Sequence, residues 1–421
     1  MYYRRVESIN LIKRNCPICE SSFSQLIYEF QQMPLGDNLM DSKNSALSQK
    51  IYPMKLVGCK NCFHIYLPEI VTPELSYSNY HFSSGLSPAL VQFMCNSIDW
   101  LSSLKNFPEK GLVLDIGAND GTWLELFLKL GYEVFGVEPS VQFELLKEKG
   151  ISGLNCYFNQ KSAEDLKEIF KNQKQLPSII CVNNTLANIS NLSDFFANLL
   201  ILMNDSTLIS IITGYHFDQF AAGMFDYVYH EHFSYFSVSD FINIANKFGL
   251  EIIEARKFSL KGGSIQIVLR KKKSGPDSIN EIVLGMVMWE KWILLNNGDY
   301  FYHLSLQFEK LIVRGRKICS MLKPSDGKIL GYGFSHSSTT LIYELGLTKT
   351  LTGLIDDNNF KHGKYVAGLG LQIFSPKFVT VDINCVIILS WQHDLRIVKK
   401  LKELEFRGHI VHPLQGKLDY K

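Results

Sequence analysis

Apolar positions in this chain alternate between short unbroken runs and stretches at helical spacing, the pattern of a largely parallel sheet covered by helices. The clearest unit is Gly111 to Ser140, GLVLDIGANDGTWLELFLKLGYEVFGVEPS. Leu112 to Ile116 reads as a buried strand, and Gly117-Ala118-Asn119-Asp120-Gly121 breaks it as a turn. Thr122 to Leu130 carries Leu124, Phe127, Leu128 and Leu130 at helical spacing, and Gly131 closes it as a C-cap. Val134 to Val137 is a second strand with Glu138 at its carboxyl end. The alternation continues with helices ending at Gly150 and Phe170, a strand Pro177 to Val182, a helix Leu192 to Met203 and a strand Thr207 to Ile212. Phe241 to Phe248 is a helix, and Leu250 to Phe258 with Ser264 to Leu269 forms a hairpin about Lys261-Gly262-Gly263. Past a solvated linker, two long amphipathic helices are expected over Ile279 to Leu295 and Leu304 to Met321, with Trp289 and Trp292 in the core. Lys328 opens a second strand–helix series that includes Leu351 to Ile355 and Val386 to Trp391.

Length and charge narrow the possibilities. The 421 residues suffice for two or three domains with their own cores. With 43 basic against 41 acidic residues there is no electrostatic case for a nucleic-acid partner. No apolar run reaches the ~18 residues of a membrane span, and the first residues lack a long apolar segment. Nine cysteines, some alone inside apolar runs (Cys181, Cys385), point to a reducing cytoplasm. A monomer is expected.

Several stretches carry candidate chemistry. Cys16-x-x-Cys19 and Cys59-x-x-Cys62 are two knuckles in a segment too short for a large core, which suits a tetrahedral structural zinc. The turn Gly117 to Gly121 lacks the G-x-G-x-x-G spacing, and Asp115 and Asp120 would repel a pyrophosphate. A cationic, phosphate-free adenosine ligand, S-adenosylmethionine, fits better, with Glu138 placed to accept from ribose hydroxyls. Asn183 and Asn184, at the carboxyl end of another strand, could hold its methionine part or its sugar. The span Tyr229-His230-Glu231-His232, followed by Phe233-Ser234-Tyr235, favours general acid–base work over a metal pair, since no third ligand is evident. Tyr80, His81 and Ser84 lie in an aromatic loop able to close over a site. The hydroxyl-rich turn Ser335 to Thr340 at a helix start is a candidate anion site for a nucleotide.

The order of these motifs, from Cys16 to Trp391, resembles the sugar C-methyltransferases of deoxysugar biosynthesis. The resemblance implies an α/β chain with a small zinc-binding N-terminal module (1–75), a central class I methyltransferase Rossmann-like domain (76–272) and a helical linker plus a second, C-terminal Rossmann-like domain that binds substrate (273–421). It implies C3-methylation of a GDP- or dTDP-linked 4-keto-6-deoxyhexose through an enolate. His232 is then the base, with Glu231 and Tyr229 orienting it or stabilising the enolate. Asp115, Gly117, Asn119, Asp120, Gly121, Glu138 and Pro139 would hold the cofactor together with Asn183 and Asn184. Tyr80, Ser84, Asn188, Lys261, Gly262, Gly333, Ser335, Ser337, Ser338 and Thr339 would meet the substrate. The chain departs from the family at four places: Asn188 and Lys261 stand where histidines are usual, His81 where a tyrosine is, and Ser337 where a lysine is. His81 is expected to replace that tyrosine as an enolate donor. The competing readings are a sugar O-methyltransferase of the same fold, a silent nucleotide-sugar-binding homologue and a zinc-knuckle nucleic-acid binder.

Overall fold

The computed structural model describes residues 11–77, 83–105, 107–273, 280–296, 298–322, 327–379, 382–415 and 417–419. Tyr80 and His81 lie outside them. Three sheets organise the chain. The largest has seven strands in the order Ser152–Leu154, Glu133–Val137, Leu112–Ile116, Ile179–Asn183, Leu208–Gly214, Ser264–Lys271 and Leu250–Phe258. Its strands run parallel except Ser264–Lys271, which is antiparallel to both neighbours. Leu112–Ile116 is buried along its length, as a central parallel strand with helices on both faces must be. The strand order reverses beside it, and the carboxyl ends there open the crevice where ligands of such sheets bind.

The second parallel series is also present. Ile373–Phe374, Gly353–Ile355, Lys328–Tyr332, Ile383–Ile388 and His409–His412 are parallel neighbours, with Lys417–Asp419 antiparallel at the edge. The amino-terminal unit is an antiparallel sheet of Ser24–Met33, Tyr52–Cys59 and Ile65–Tyr66, whose fourth strand is Ser234–Tyr235 from the central unit. Leu39–Met40 pairs with Tyr365–Val366 of the carboxyl-terminal unit in the same way. One apolar cluster runs through all three: Phe30, Leu56 and Ile65 pack with Phe225 and Phe233, and with Phe308, Leu341 and Ile387.

The cysteine knuckles close as expected of a metal site. The ligand atoms of Cys16, Cys19, Cys59 and Cys62 lie within 4.8 Å of one another. The two knuckles repeat one geometry. Glu20 N donates to Cys16 O (2.8 Å) and Phe63 N to Cys59 O (3.0 Å), and Glu20 and Phe63 take φ of 63° and 65°. Four convergent thiols on two matched turns fit a structural zinc, with no fourth position left open for chemistry. Two residues after the second knuckle, His64 is buried and faces Asp240 of the methyltransferase unit at 3.1 Å, so this site is tied to the domain beside it.

The helix Glu281–Asn296 corrects one expectation. It is apolar on nearly every side, and only Val283 and Glu290 are fully buried. Trp289 and Trp292, expected in the core, are 41% and 61% exposed. The helix phase follows Glu290, whose carboxylate accepts from Tyr215 Oη (3.0 Å), Val238 N (2.8 Å), Ser239 N (2.8 Å) and Ser239 Oγ (2.5 Å). A buried carboxylate satisfied by four donors is costly to move, so the tryptophans turn outward. Among the described residues no helix is long and apolar enough to cross a membrane.

The zinc site generates a prediction. Metal analysis should give one zinc per chain, lost in Cys62→Ser. Stripping it with a chelator should lower Tm by at least ~10 °C and abolish methyl transfer, because Ile65–Tyr66 carries the strand that follows His232. Full activity in metal-free protein would contradict this.

Candidate active site

All three units wall one cavity of about 2220 Å³. Small-molecule sites usually measure ~300–1,000 Å³, so this one has room for two ligands side by side. Its floor is the carboxyl edge of the central sheet, with Asp115, Gly117, Asn119, Glu138, Pro139, Asn183 and Asn184 all in the lining. Gly117 has φ 81°, and a Cβ there would lie 2.1 Å from Thr185 Oγ1, so only glycine fits this turn. The Glu138 carboxylate accepts from Asn119 N (2.8 Å) and Ser140 N (2.9 Å), which fixes its orientation and leaves lone pairs for a diol. Asp115 is buried, and burial followed by the charge of Glu138 pushes its carboxyl up to about 8. Buried polar atoms without partners line this end: Asp115 Oδ1, Gln142 Oε1, both amide atoms of Asn183 and Asn188 Oδ1. Unpaired buried polar groups are expensive, and a ligand rich in hydroxyl and amino groups would satisfy them. The residues fit S-adenosylmethionine.

Asp120 and Gly121 lie outside the lining. Asp120 instead accepts from Ser83 Oγ (2.5 Å), Gly85 N (2.8 Å) and Thr122 N (3.1 Å). Burial raises its pKa, but these bonds together outweigh that and hold it below the usual carboxylate range. It pins the segment ahead of the helix Pro88–Ser102 across the cavity mouth, where Ser84 joins the lining. Gly121 is the left-handed N-cap of the helix Thr122–Lys129.

At the other end the loop before Ser234–Tyr235 delivers Tyr229, Glu231 and His232 to the cavity. Tyr229 Oη and His232 Nε2 share a hydrogen bond of 2.7 Å. Burial, then the charges of Lys261 and His336, push His232 down to about 3, so its imidazole is neutral across the physiological range. Glu231 is buried with both carboxylate oxygens unpartnered, and burial raises it to about 8. A neutral base and a neutral acid thus sit side by side on one turn. His230 points away; it is buried with its ring edge-on to Tyr52 at 5.9 Å.

The carboxyl-terminal unit supplies the far wall. Gly333, Ser335 and Ser337 line the cavity, but Ser338 and Thr339 do not. Ser338 Oγ bonds back to Gly333 O (3.0 Å), and Thr339 is buried in the helix His336–Glu344. Lys261 and Asn188 line the cavity, while Gly262 packs against Met224. The motif reading passed over His336, whose ring stands 5.2 Å from that of Tyr229. It also passed over Lys361, which bonds Asp37 Oδ1 (2.5 Å) and Phe334 O (2.8 Å) and so joins the amino- and carboxyl-terminal units at the cavity edge. Nothing in the local sequence of either signals this, because His336 meets Tyr229, and Lys361 meets Asp37, across unit boundaries.

Comparison with known proteins agrees with this arrangement. Residues 16–77 match the family described as a zinc binding domain, 92–255 that described as methyltransferase domain, and 259–414 that described as C-methyltransferase C-terminal domain. The chain is 21% identical over 403 residues to C-methyltransferase NovU of Streptomyces niveus, covering 95% of each chain. Among solved structures it overlaps a SAM-dependent methyltransferase of Leishmania major (11% identity, 44% of this chain, 75% of that one, TM-score 0.34). It also overlaps an O-methyltransferase family protein of Burkholderia thailandensis (13% identity, 44% and 58%, TM-score 0.33). The likeness read from the ordered motifs is borne out: the chain is an S-adenosylmethionine-dependent methyltransferase whose carboxyl-terminal part matches that of C-methyltransferases, with a structural zinc module at its amino end.

Proposed function

We propose that the enzyme methylates C3 of a nucleotide-linked 4-keto-6-deoxyhexose, GDP- or dTDP-linked, in branched deoxysugar biosynthesis. The observation that carries the reading is the Tyr229–His232 pair, 2.7 Å apart, in a cavity with space for a second ligand beyond the cofactor end. The 4-keto group acidifies the C3 proton, and a neutral buried imidazole is suited to remove it. Tyr229 orients His232, and Glu231, protonated near neutral pH, donates to a sugar oxygen. S-adenosylmethionine supplies an electrophilic methyl group to the carbon so activated. Asp115, Asn119, Glu138, Asn183 and Asn184 hold it, with Gly117 and Pro139 shaping the turn. Asp120 and Gly121 act one layer behind, as positioning residues. Asn188, Ser84, Gly333, Ser335 and Ser337 bind the nucleotide sugar, and Ser338, Thr339 and Gly262 support that wall. The division at 75 and 272 follows the same reading. Nine cysteines, none of them in a disulfide, support a reducing, cytoplasmic setting, and a monomer is part of the same reading.

Two outcomes are expected. Incubation with S-adenosylmethionine and each 4-keto-6-deoxyhexose nucleotide should add one methyl mass to the GDP or the dTDP sugar, and His232→Asn should lose at least ~100-fold in rate. No methyl gain on either sugar would contradict the proposal. Because the raised Glu231 carboxyl is neutral below about 8 and ionised above it, kcat should fall as pH rises through that value. Glu231→Gln, a permanent neutral donor, should lose that alkaline limb; an unchanged limb would remove Glu231 from the role.

A further inference from the structure

Four lysine and arginine side chains line the cavity: Lys261, Lys361, Lys364 and Arg396. Three of them face carboxylates. Lys361 pairs with Asp37 at 2.5 Å, Lys364 with Asp41, and Arg396 with Asp357 at 2.9 Å. Lys261 differs. Among the described residues no carboxylate and no hydrogen-bond acceptor meets its ammonium, and burial, with no opposing charge, lowers its pKa. A cation placed at a binding site without a counter-charge is costly unless an anion arrives to meet it.

Its placement is also enforced. Lys261 sits at the tip of the hairpin with φ 50°, a conformation a lysine adopts only under constraint. Gly262 and Gly263 follow at φ 76° and 139°; a Cβ there would come 1.8 Å from Met224 Sδ and 2.5 Å from Asp218 Cβ. Gln219 Nε2 donates to Lys261 O (3.1 Å), and Tyr215 N donates to Gly263 O (3.0 Å). The hairpin tip is thus bolted to the helix His216–Ala221, with the Lys261 side chain held in the cavity wall. There it is close enough to His232 and His336 to disfavour a charge on either.

We propose that Lys261 is a catalytic residue whose ammonium balances the negative charge on the sugar's C4 oxygen in the enolate. The proposal rests on the ketosugar reading. In the first step the C3–H bond breaks and its proton goes to His232 Nε2, with Tyr229 Oη accepting from the N–H so formed. The bonding pair becomes the C3–C4 π bond, and the carbonyl π pair moves onto O4 beside Lys261. In the second step a pair on O4 remakes the carbonyl, the C3–C4 π pair forms the bond to the methyl carbon, and the sulfur keeps the pair of the broken S–C bond. Charge grows on O4 only as C3 is deprotonated, so a fixed cation there stabilises the transition state more than the ketone. Keeping His232 neutral serves the same step.

Deuterium wash-in at C3 of the 4-keto-6-deoxyhexose nucleotides, followed by mass spectrometry without S-adenosylmethionine, isolates that step. Equilibrium binding of S-adenosylmethionine serves as the control for folding. Lys261→Met should bind the cofactor as the wild type does yet exchange ~100- to 1,000-fold more slowly, and Lys261→Arg should recover part of the rate. Loss of the cation should also move the acid limb of exchange to higher pH, since His232 protonates more readily. Tyr229 and His336, which lie against His232, its neighbour Glu231, and Asp37 and Lys361, which act on His336, are the same in both proteins, so the shift reports Lys261. Should Lys261→Met fail to bind cofactor, Lys261→Gln carries the same test. Exchange by the wild type that neither neutral variant slows would overturn the assignment of Lys261 alone. Absence of exchange in wild-type protein that still binds cofactor would overturn the ketosugar reading and this proposal with it.

Discussion

The structure depends on how the segment from Asp226 to Tyr235 is held. It belongs to the central unit in sequence but is fixed from three directions. Ser234–Tyr235 is a strand of the zinc-module sheet, and Leu67 N donates to Phe233 O at 3.0 Å. Phe233 N donates to Ala187 O of the methyltransferase unit at 2.7 Å. From the carboxyl-terminal unit, Thr340 Oγ1 donates to Val228 O (2.8 Å) and Trp391 Nε1 to the buried Asp226 (3.0 Å). Each bond is worth only ~1 kcal/mol, but together they leave the Tyr229–His232 turn a single geometry. The proposed catalytic pair needs that, since small displacements cost large factors in rate.

This constraint explains why a methyltransferase sheet, complete by itself, carries two further units. The zinc module has little core of its own, and its strands join the apolar cluster that also receives Phe308 and Leu341. The metal sets the knuckles, the knuckles set Tyr52–Cys59 and Ile65–Tyr66, and that sheet sets the strand after His232. The carboxyl-terminal unit closes the cavity and adds His336 and Lys361. In the proposed reaction, cofactor binding therefore draws on the central sheet, while the reacting end is shared by all three.

Much of this was legible in the sequence, for physical reasons. The G-x-x-x-G turn between an apolar run and a helical pattern, the acidic residue after the second strand and the paired Cys-x-x-Cys turns are local patterns, and local patterns survive without a fold. The polar span around His232 stood out because so many ionisable groups rarely gather without purpose. What did not show are contacts made at long sequence distance. Lys361 meets Asp37 from 324 positions away, and Asp120 turns from the cofactor to Ser83 and Gly85 because a neighbouring segment offers donors. The tryptophans of Glu281–Asn296 misled because composition suggested a core helix, whereas Glu290 and its four donors set the phase.

The central claim, that the methyl group is delivered to carbon, is tested most directly with S-adenosylmethionine labelled with 13C at its methyl group. NMR of the product should show the labelled methyl bonded to C3 of the sugar and the C3 proton gone. A labelled methyl bonded to oxygen, with the C3 proton retained, would contradict the account.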